Sequence, residues 1–303
     1  MNKQTMNKRI FGTLLVGAMV TGMLAGCGGS TGADAKGKAE ASAPSGAISV
    51  ISREDGSGTR GAFIELTGIQ TEDGGSKVDN TTADAIIANQ TEVMMQNVSG
   101  DANAIGYASM GSLNDSIKAV QIDGVDATAE NVLDGEYSIS RPFNIVLNGD
   151  AEGVSADFIQ YILSEDGQQV VQDAGYIPVD SNAEAFESDN SKGDITVAGS
   201  SSVSPVMEKL KEAYETINPN AKITIETSDS TTGVNSTAEG ICDIGMASRE
   251  LSDEEAANLQ SIQIALDGIA VIVNPENATD NLTVEQVRQI FTGEITDWAD
   301  IAE

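Results

Sequence analysis

The sequence predicts an α/β fold with largely parallel sheets. Short apolar runs alternate with helical periodicity through both halves of the chain, four Ser/Thr-rich turns each join a strand to a helix, and one long polar stretch interrupts the pattern midway. The four turns lie at Ser57, Ser202, Ser230 and Ser248. In folds of this class, ligands bind where strand ends meet helix N-termini.

In chain order, Ile48 to Ile51 reads as a strand and runs into Ser52-Arg53-Glu54-Asp55-Gly56-Ser57-Gly58-Thr59-Arg60. Ala62, Phe63 and Leu66 follow at the spacing of a buried helical stripe. Ser57 and Thr59 are both candidate N-caps, and Gly56 and Gly58 leave the backbone free to turn and to approach a ligand. Helix N–H groups, hydroxyls and a guanidinium suit a small oxyanion. An ordinary cap with surface charges fits this stretch, taken alone, equally well.

Residues 70–80 read as a polar loop, and 83–98 as a helix with Ile86, Ile87, Val93, Met94 and Val98 on its apolar face. Strands are expected at 103–107, 117–122 and 143–147, with helices at 128–133, 158–163 and 168–174. Residues 180–193 are polar and acidic without apolar periodicity, as in a linker. A strand at 195–198 then leads through Gly199 to Ser204 into Pro205, which suits a first helical turn, and a helix reaches to about Ile217. Ile223 to Ile225 alternates as a strand before the Ser228 to Gly233 turn, and residues 243–250 are a strand running into another turn. Ser252 with Glu255, and Thr283 with Gln286, have capping-box spacing. A buried strand at 269–274 and a helix at 283–291 complete the series.

Composition narrows the chemistry. The chain of 303 residues carries 47 acidic against 16 basic side chains, a net charge of −31. Such a surface disfavours nucleic acid and anionic lipid, so an anion site here must work through local dipoles and one or two arginines. There is no histidine, which removes Ser-His and Cys-His nucleophile pairs and most zinc sites. No cofactor or metal ligand set is visible.

Lys3, Lys8 and Arg9 precede an apolar run from Ile10 to Leu24, as in a secretory signal. The ending Leu24-Ala25-Gly26-Cys27 resembles the lipobox of bacterial lipoproteins, which implies a signal over 1–26 and a lipidated Cys27. A Gly/Ala/Ser-rich tether would occupy 27–46. Cys242, in an apolar stretch, reads as a small buried hydrophobe.

Five segments carry a wider resemblance. Arg53 to Thr59, Gly199 to Val203, Asp243 to Arg249, Asp267 to Pro275 and Ile290 to Trp298 resemble the phosphate-binding lipoproteins of bacterial phosphate ABC transporters. The resemblance covers nearly everything from Ile48 to Ile301. It implies a class II periplasmic-binding-protein-like fold, with two α/β lobes closing over the ligand about a hinge near 143–147 and 269–273. In that family the segment resembling 194–298 comes first, so this chain looks circularly permuted, with 180–193 joining the exchanged halves. The competing reading is a piece of a longer tandem protein whose halves pair between chains. Surface-loop permutation is tolerable where the natural termini lie close. One lobe would comprise 47–137 completed by 275–303, and the other 138–274.

Residue by residue, the resemblance places phosphate on Arg53, Ser57, Gly58 and Thr59 from one lobe. From the other come the Ser202 hydroxyl, the Val203 N–H, Ser230 and Ser248. Asp55 would orient the Arg53 guanidinium. Some family members carry aspartate at the Ser248 position to accept the proton of hydrogen phosphate, and Ser248 lacks that charge. The implied function is a lipid-anchored, extracytoplasmic solute-binding protein that delivers inorganic phosphate to an ABC permease with its ATPase subunits, itself performing no chemistry. A sulfate or molybdate binder, a serine phosphatase or hydrolase, and a lipoprotein without ligand remain the alternatives.

Overall fold

The computed structural model describes residues 46–180 and 182–301. The expected signal, Cys27 and the tether up to residue 45 lie outside the described residues. Among the described residues, no helix is long and apolar enough to cross a membrane.

The chain opens with three strands, β1 (Ser49–Arg53), β2 (Ile86–Ala88) and β3 (Ala104–Ser109), with β1 parallel to both neighbours. A longer strand, β4 (Ser140–Leu147), follows. A second parallel block consists of β5 (Gly193–Ser200), β6 (Ala221–Ser228) and β7 (Ile244–Ala247), with β5 in the middle. The longest strand, β8 (Gln260–Val273), comes last. The main sheet runs β6-β5-β7-β4-β8-β3-β1-β2, and the short strands Lys118–Ala119 and Ile177–Pro178 also pair with β8. The sheet is parallel only within each block: β4 and β8 pair antiparallel with each other and with the blocks on either side. This mixed arrangement corrects the expectation of largely parallel sheets. The antiparallel pairs are those of β4 and β8, which join the two parallel blocks.

Each block has its own core. Phe63, Met94, Val98, Ile105, Tyr107, Ile269 to Val273 and Phe291 fill one, and Phe143, Phe158, Ile162, Val197, Leu210, Tyr214 and Met246 the other. The two cores meet along β4 and β8: Ile139 lies in the first and Phe143 in the second, while Ile264 lies in the second and Ile269 in the first. A register shift in the β4–β8 ladder between Gln263 and Ala265 lies just before the changeover. The architecture is two-lobed, joined by crossing strands.

Helices pack on these strands: α1 (Gly58–Leu66), α2 (Thr91–Gly100), α3 (Val154–Leu163), α4 (Glu165–Asp173), α5 (Ser204–Ile217), α6 (Ser230–Ala238) and α7 (Val284–Thr292), with one-turn helices at Ala129–Leu133 and Asp253–Ala256. Both expected capping boxes are made, Ser252 with Glu255 and Thr283 with Gln286. Cys242 is a free, buried thiol.

Two local expectations are corrected, and the expected linker proves to be fastened. Residues 83–98 are not one helix: Ile86-Ile87-Ala88 is the edge strand β2, with both isoleucines about half exposed, and the helix starts at Thr91. The polar loop 70–80 is a hairpin, Gln70–Asp73 with Ser76–Asp79, turned by Gly74 and Gly75 at φ 59° and 85°. Such left-handed geometry at both turn positions is what Gly-Gly supplies. The polar stretch after residue 180 has no regular element before Gly193 opens β5, yet it is pinned. Phe186 packs edge-on against Tyr161 at 5.2 Å, and the buried Asp157 carboxylate accepts from Ser188 Oγ at 2.7 Å and the Asp189 N–H at 3.0 Å.

The described ends of the chain lie side by side. Ile48 N–H donates to Thr296 O at 2.8 Å, and Trp298 N–H donates to Gly46 O at 3.1 Å.

Phe63 is fully buried, stacked on Tyr107 at 4.0 Å and edge-on to Phe291 at 5.0 Å. Phe63→Ala should therefore cost about 3–5 kcal/mol of stability, read as a lowered urea midpoint. A loss under about 1 kcal/mol would contradict this packing.

Candidate functional site

Arg53 ends β1, and its guanidinium turns inward to 2 % exposure. A buried guanidinium needs its donors matched. Nε and Nη2 fork onto Glu54 at 2.9 and 2.8 Å, Nε also reaches Ala88 O at 3.2 Å, and Nη1 donates to Thr91 Oγ1 at 3.2 Å. Nη2 crosses to the other lobe, donating to Ser201 Oγ at 3.0 Å. The carboxylate on Arg53 is thus Glu54, not Asp55. The chain turns after Glu54, leaving the Asp55 side chain 98 % exposed and paired with Arg60 at 3.0 Å.

Ser57 caps α1, accepting from the Arg60 N–H at 3.3 Å, so it and not Thr59 is the N-cap. Thr59 is free to face the second lobe, where its Oγ1 lies 2.8 Å from Ser202 Oγ. Ser202 Oγ is also 3.0 Å from Thr91 Oγ1, and Ser201 Oγ accepts from the Thr91 N–H at 3.3 Å. Lower in the cleft, Ser248 Oγ is 2.9 Å from Ser200 Oγ and 3.2 Å from Ser230 Oγ, while Ser230 Oγ accepts from the Ser248 N–H at 3.0 Å. Gly58 closes over this group. A Cβ there would stand 2.5 Å from Ser230 Oγ and 2.8 Å from Ser248 Oγ.

Arg53, Ser57, Gly58, Thr59, Ser202, Ser230 and Ser248 therefore gather at the junction of the lobes, all buried. Val203 is buried beside them, but its N–H donates to Ser200 O at 3.0 Å. That hydrogen bond closes the turn before α5, so the N–H expected to meet an anion already has a backbone partner. Arg249, next to Ser248, forks onto Glu255 at 2.8 and 2.9 Å, and those hydrogen bonds bring the Glu255 carboxyl down to about 2.

Thr91, Ser200 and Ser201 join the site without having been expected there. Thr91 is the first residue of α2, a helix start concealed when 83–98 is read as one helix. Ser200 and Ser201 stand in the same serine run as Ser202. Four helix starts, those of α1, α2, α5 and α6, converge here, with dipoles and hydroxyls around one guanidinium. Among the described residues, no group of His, Cys, Asp or Glu could hold a metal ion.

The fold and this site define a two-lobed binding protein that encloses a small ligand rich in hydrogen-bond acceptors. A PBP superfamily domain matches residues 34–166 and 184–303. Phosphate-binding protein PstS 2 of Streptococcus agalactiae serotype V is 49 % identical over 290 residues, 95 % of this chain and 96 % of that one. The crystal structure of a phosphate-binding protein of a phosphate ABC transporter from Streptococcus pneumoniae is 48 % identical and superposes with a TM-score of 0.68, covering 85 % of this chain and all of that one. PstS of Bacillus subtilis is 36 % identical over only 136 residues, 44 % of this chain and 42 % of its own. The chain belongs to the PstS family of phosphate-binding proteins within the PBP superfamily.

Gly58 lies in α1 with ordinary helical geometry, so alanine fits the helix but not the closed site. Gly58→Ala should leave circular dichroism unchanged and weaken oxyanion binding about tenfold or more by calorimetry. Unaltered binding would show that the lobes do not approach this closely around the ligand.

Proposed function

We propose that this chain is an extracytoplasmic solute-binding lipoprotein that captures inorganic phosphate between its lobes and delivers it to an ABC permease. The observation that carries this reading is the buried Arg53 guanidinium, held by one lobe and reaching Ser201 of the other. A phosphate entering there replaces hydroxyl–hydroxyl contacts with charge-assisted ones, with Arg53 offering donors and Ser57, Thr59, Ser202, Ser230, Ser248 and the Gly58 backbone surrounding it. Closure of the lobes removes the ion from water and strengthens each of these contacts. Against a chain of net charge −31, only such local dipoles and a buried arginine can draw an anion in. The serines have no histidine to activate them, which suits binding and release without chemistry. ATP hydrolysis would belong to partner subunits. The anchor would be lipid on Cys27.

The lobes would run 47–137 with 275–303, and 138–274, with Ile139 and Ile269 to Val273 of the crossing segments packing into the first core. The exchanged order of the halves is supported by two findings: the described ends meet at Gly46 and Trp298, and some relatives align over less than half their length. The Streptococcus agalactiae relative, collinear over nearly its whole length, would share that order.

A second reading, a binder of sulfate or another oxyanion, is favoured by Ser248, whose hydroxyl hydrogen-bonds the hydroxyls of Ser200 and Ser230. No carboxylate stands there to repel a fully deprotonated ion. Isothermal titration separates the two readings. Phosphate should bind tightly, sulfate should not displace it, and Arg53→Ala should abolish the heat. Sulfate or molybdate binding without phosphate binding would keep the fold and overturn the ligand.

A further inference from the structure

Behind the hydroxyl wall lies a second arginine to which the phosphate reading gives no role. Arg141, on β4, is 2 % exposed and pairs with the fully buried Asp267 on β8, Nε and Nη2 donating to Oδ2 at 3.3 and 3.1 Å. These are the two strands that join the lobes. Asp267 also accepts from Ser109 Oγ at 2.8 Å, at the end of β3 in the first block. Arg141 Nη1 donates to Ser248 O at 3.1 Å, in the second block, and its guanidinium lies 5.2 Å from the centre of the Phe143 ring. An unbroken polar chain therefore runs from Ser109 through Asp267 and Arg141 to Ser248, and on to Ser200 and Ser230.

Burying an ion pair costs desolvation that its own attraction offsets only in part, and apolar residues of similar size are often no less stable there. Burial pushes the Arg141 pKa down and the Asp267 carboxyl up, each opposed by the other's charge, and the positive charge of Arg53 bears on Arg141 as well. The pair is oriented, with its guanidinium on Ser248 and its carboxylate towards Ser109. Its positive end points at the site.

We propose that Arg141 and Asp267 are a positioning pair for the ligand site: from the interlobe strands they fix the Ser248 turn and hold a second positive charge behind the hydroxyl wall, favouring the doubly charged form of phosphate. This rests on the phosphate reading. Neither side chain touches the ligand. A positive charge behind the wall stabilises a dianion more than a monoanion, whereas scaffolding alone would serve both equally.

The test compares phosphate titrations at about pH 8, where the dianion prevails, and about pH 6, where the monoanion does. The double variant Arg141→Gln/Asp267→Asn leaves a polar group at both positions while removing both charges. With folding confirmed by thermal melting, it should lose about tenfold or more in phosphate affinity at the higher pH and clearly less at the lower. Equal losses at both pH values, or affinity within about twofold of the unsubstituted chain, overturn the proposal. Arg141→Lys keeps the charge and should retain the preference for the higher pH. Its loss there overturns the proposal even if the double variant does not fold. An unsubstituted chain that binds no phosphate overturns the functional reading and this inference together, whereas unaltered binding in the variants removes only the inference.

Discussion

The structure depends on keeping one guanidinium out of water. Arg53 has donors directed at Glu54, Ala88 O, Thr91 and Ser201, and each comes from a different part of the fold. Glu54 is its chain neighbour, Ala88 ends an adjacent strand, Thr91 starts a helix and Ser201 belongs to the opposite lobe. An unpaired buried charge is among the costliest features a protein can hold, so a closed arrangement of the lobes is also the one in which each Arg53 nitrogen has an acceptor. The convergence of strand ends and helix starts follows the same demand. Backbone dipoles, small hydroxylated side chains and a close-approaching glycine occupy one volume there.

The crossing strands give this junction its geometry. β8 passes from one core to the other within a single element, changing register near Gln263, while the chain passes the opposite way from Ile139 into β4. A rotation of one lobe against the other bends these strands and leaves each core intact. Shape change is thereby confined to a few residues, as in hinged proteins generally.

Much of this was legible in the sequence. β-branched runs followed by Ser/Thr-Gly turns locate the strand ends, and the two capping boxes locate helix starts because both partners lie within one turn. Ile86 and Ile87 were misleading. They fit helical spacing with the apolar residues after Thr91, but the chance to pair with β1 decides for strand, and that opportunity is tertiary. The misreading concealed Thr91. The choice between Glu54 and Asp55 was equally invisible, since adjacent carboxylates differ only in where the next turn points them. Ser201, 148 residues from Arg53, could be placed opposite it only by the folded sheet.

The stretch between the two halves illustrates what strand order does to connectivity. β4 belongs to the segment before residue 180, yet it lies between β7 and β8, both from the segment after it. The two segments are interleaved rather than placed end to end. With Phe186 and Asp157 fastening the connecting stretch locally, the peptide bonds along it carry little of the cohesion. A nick there would leave two fragments that still share one sheet. Each would be a template on which the other completes its fold.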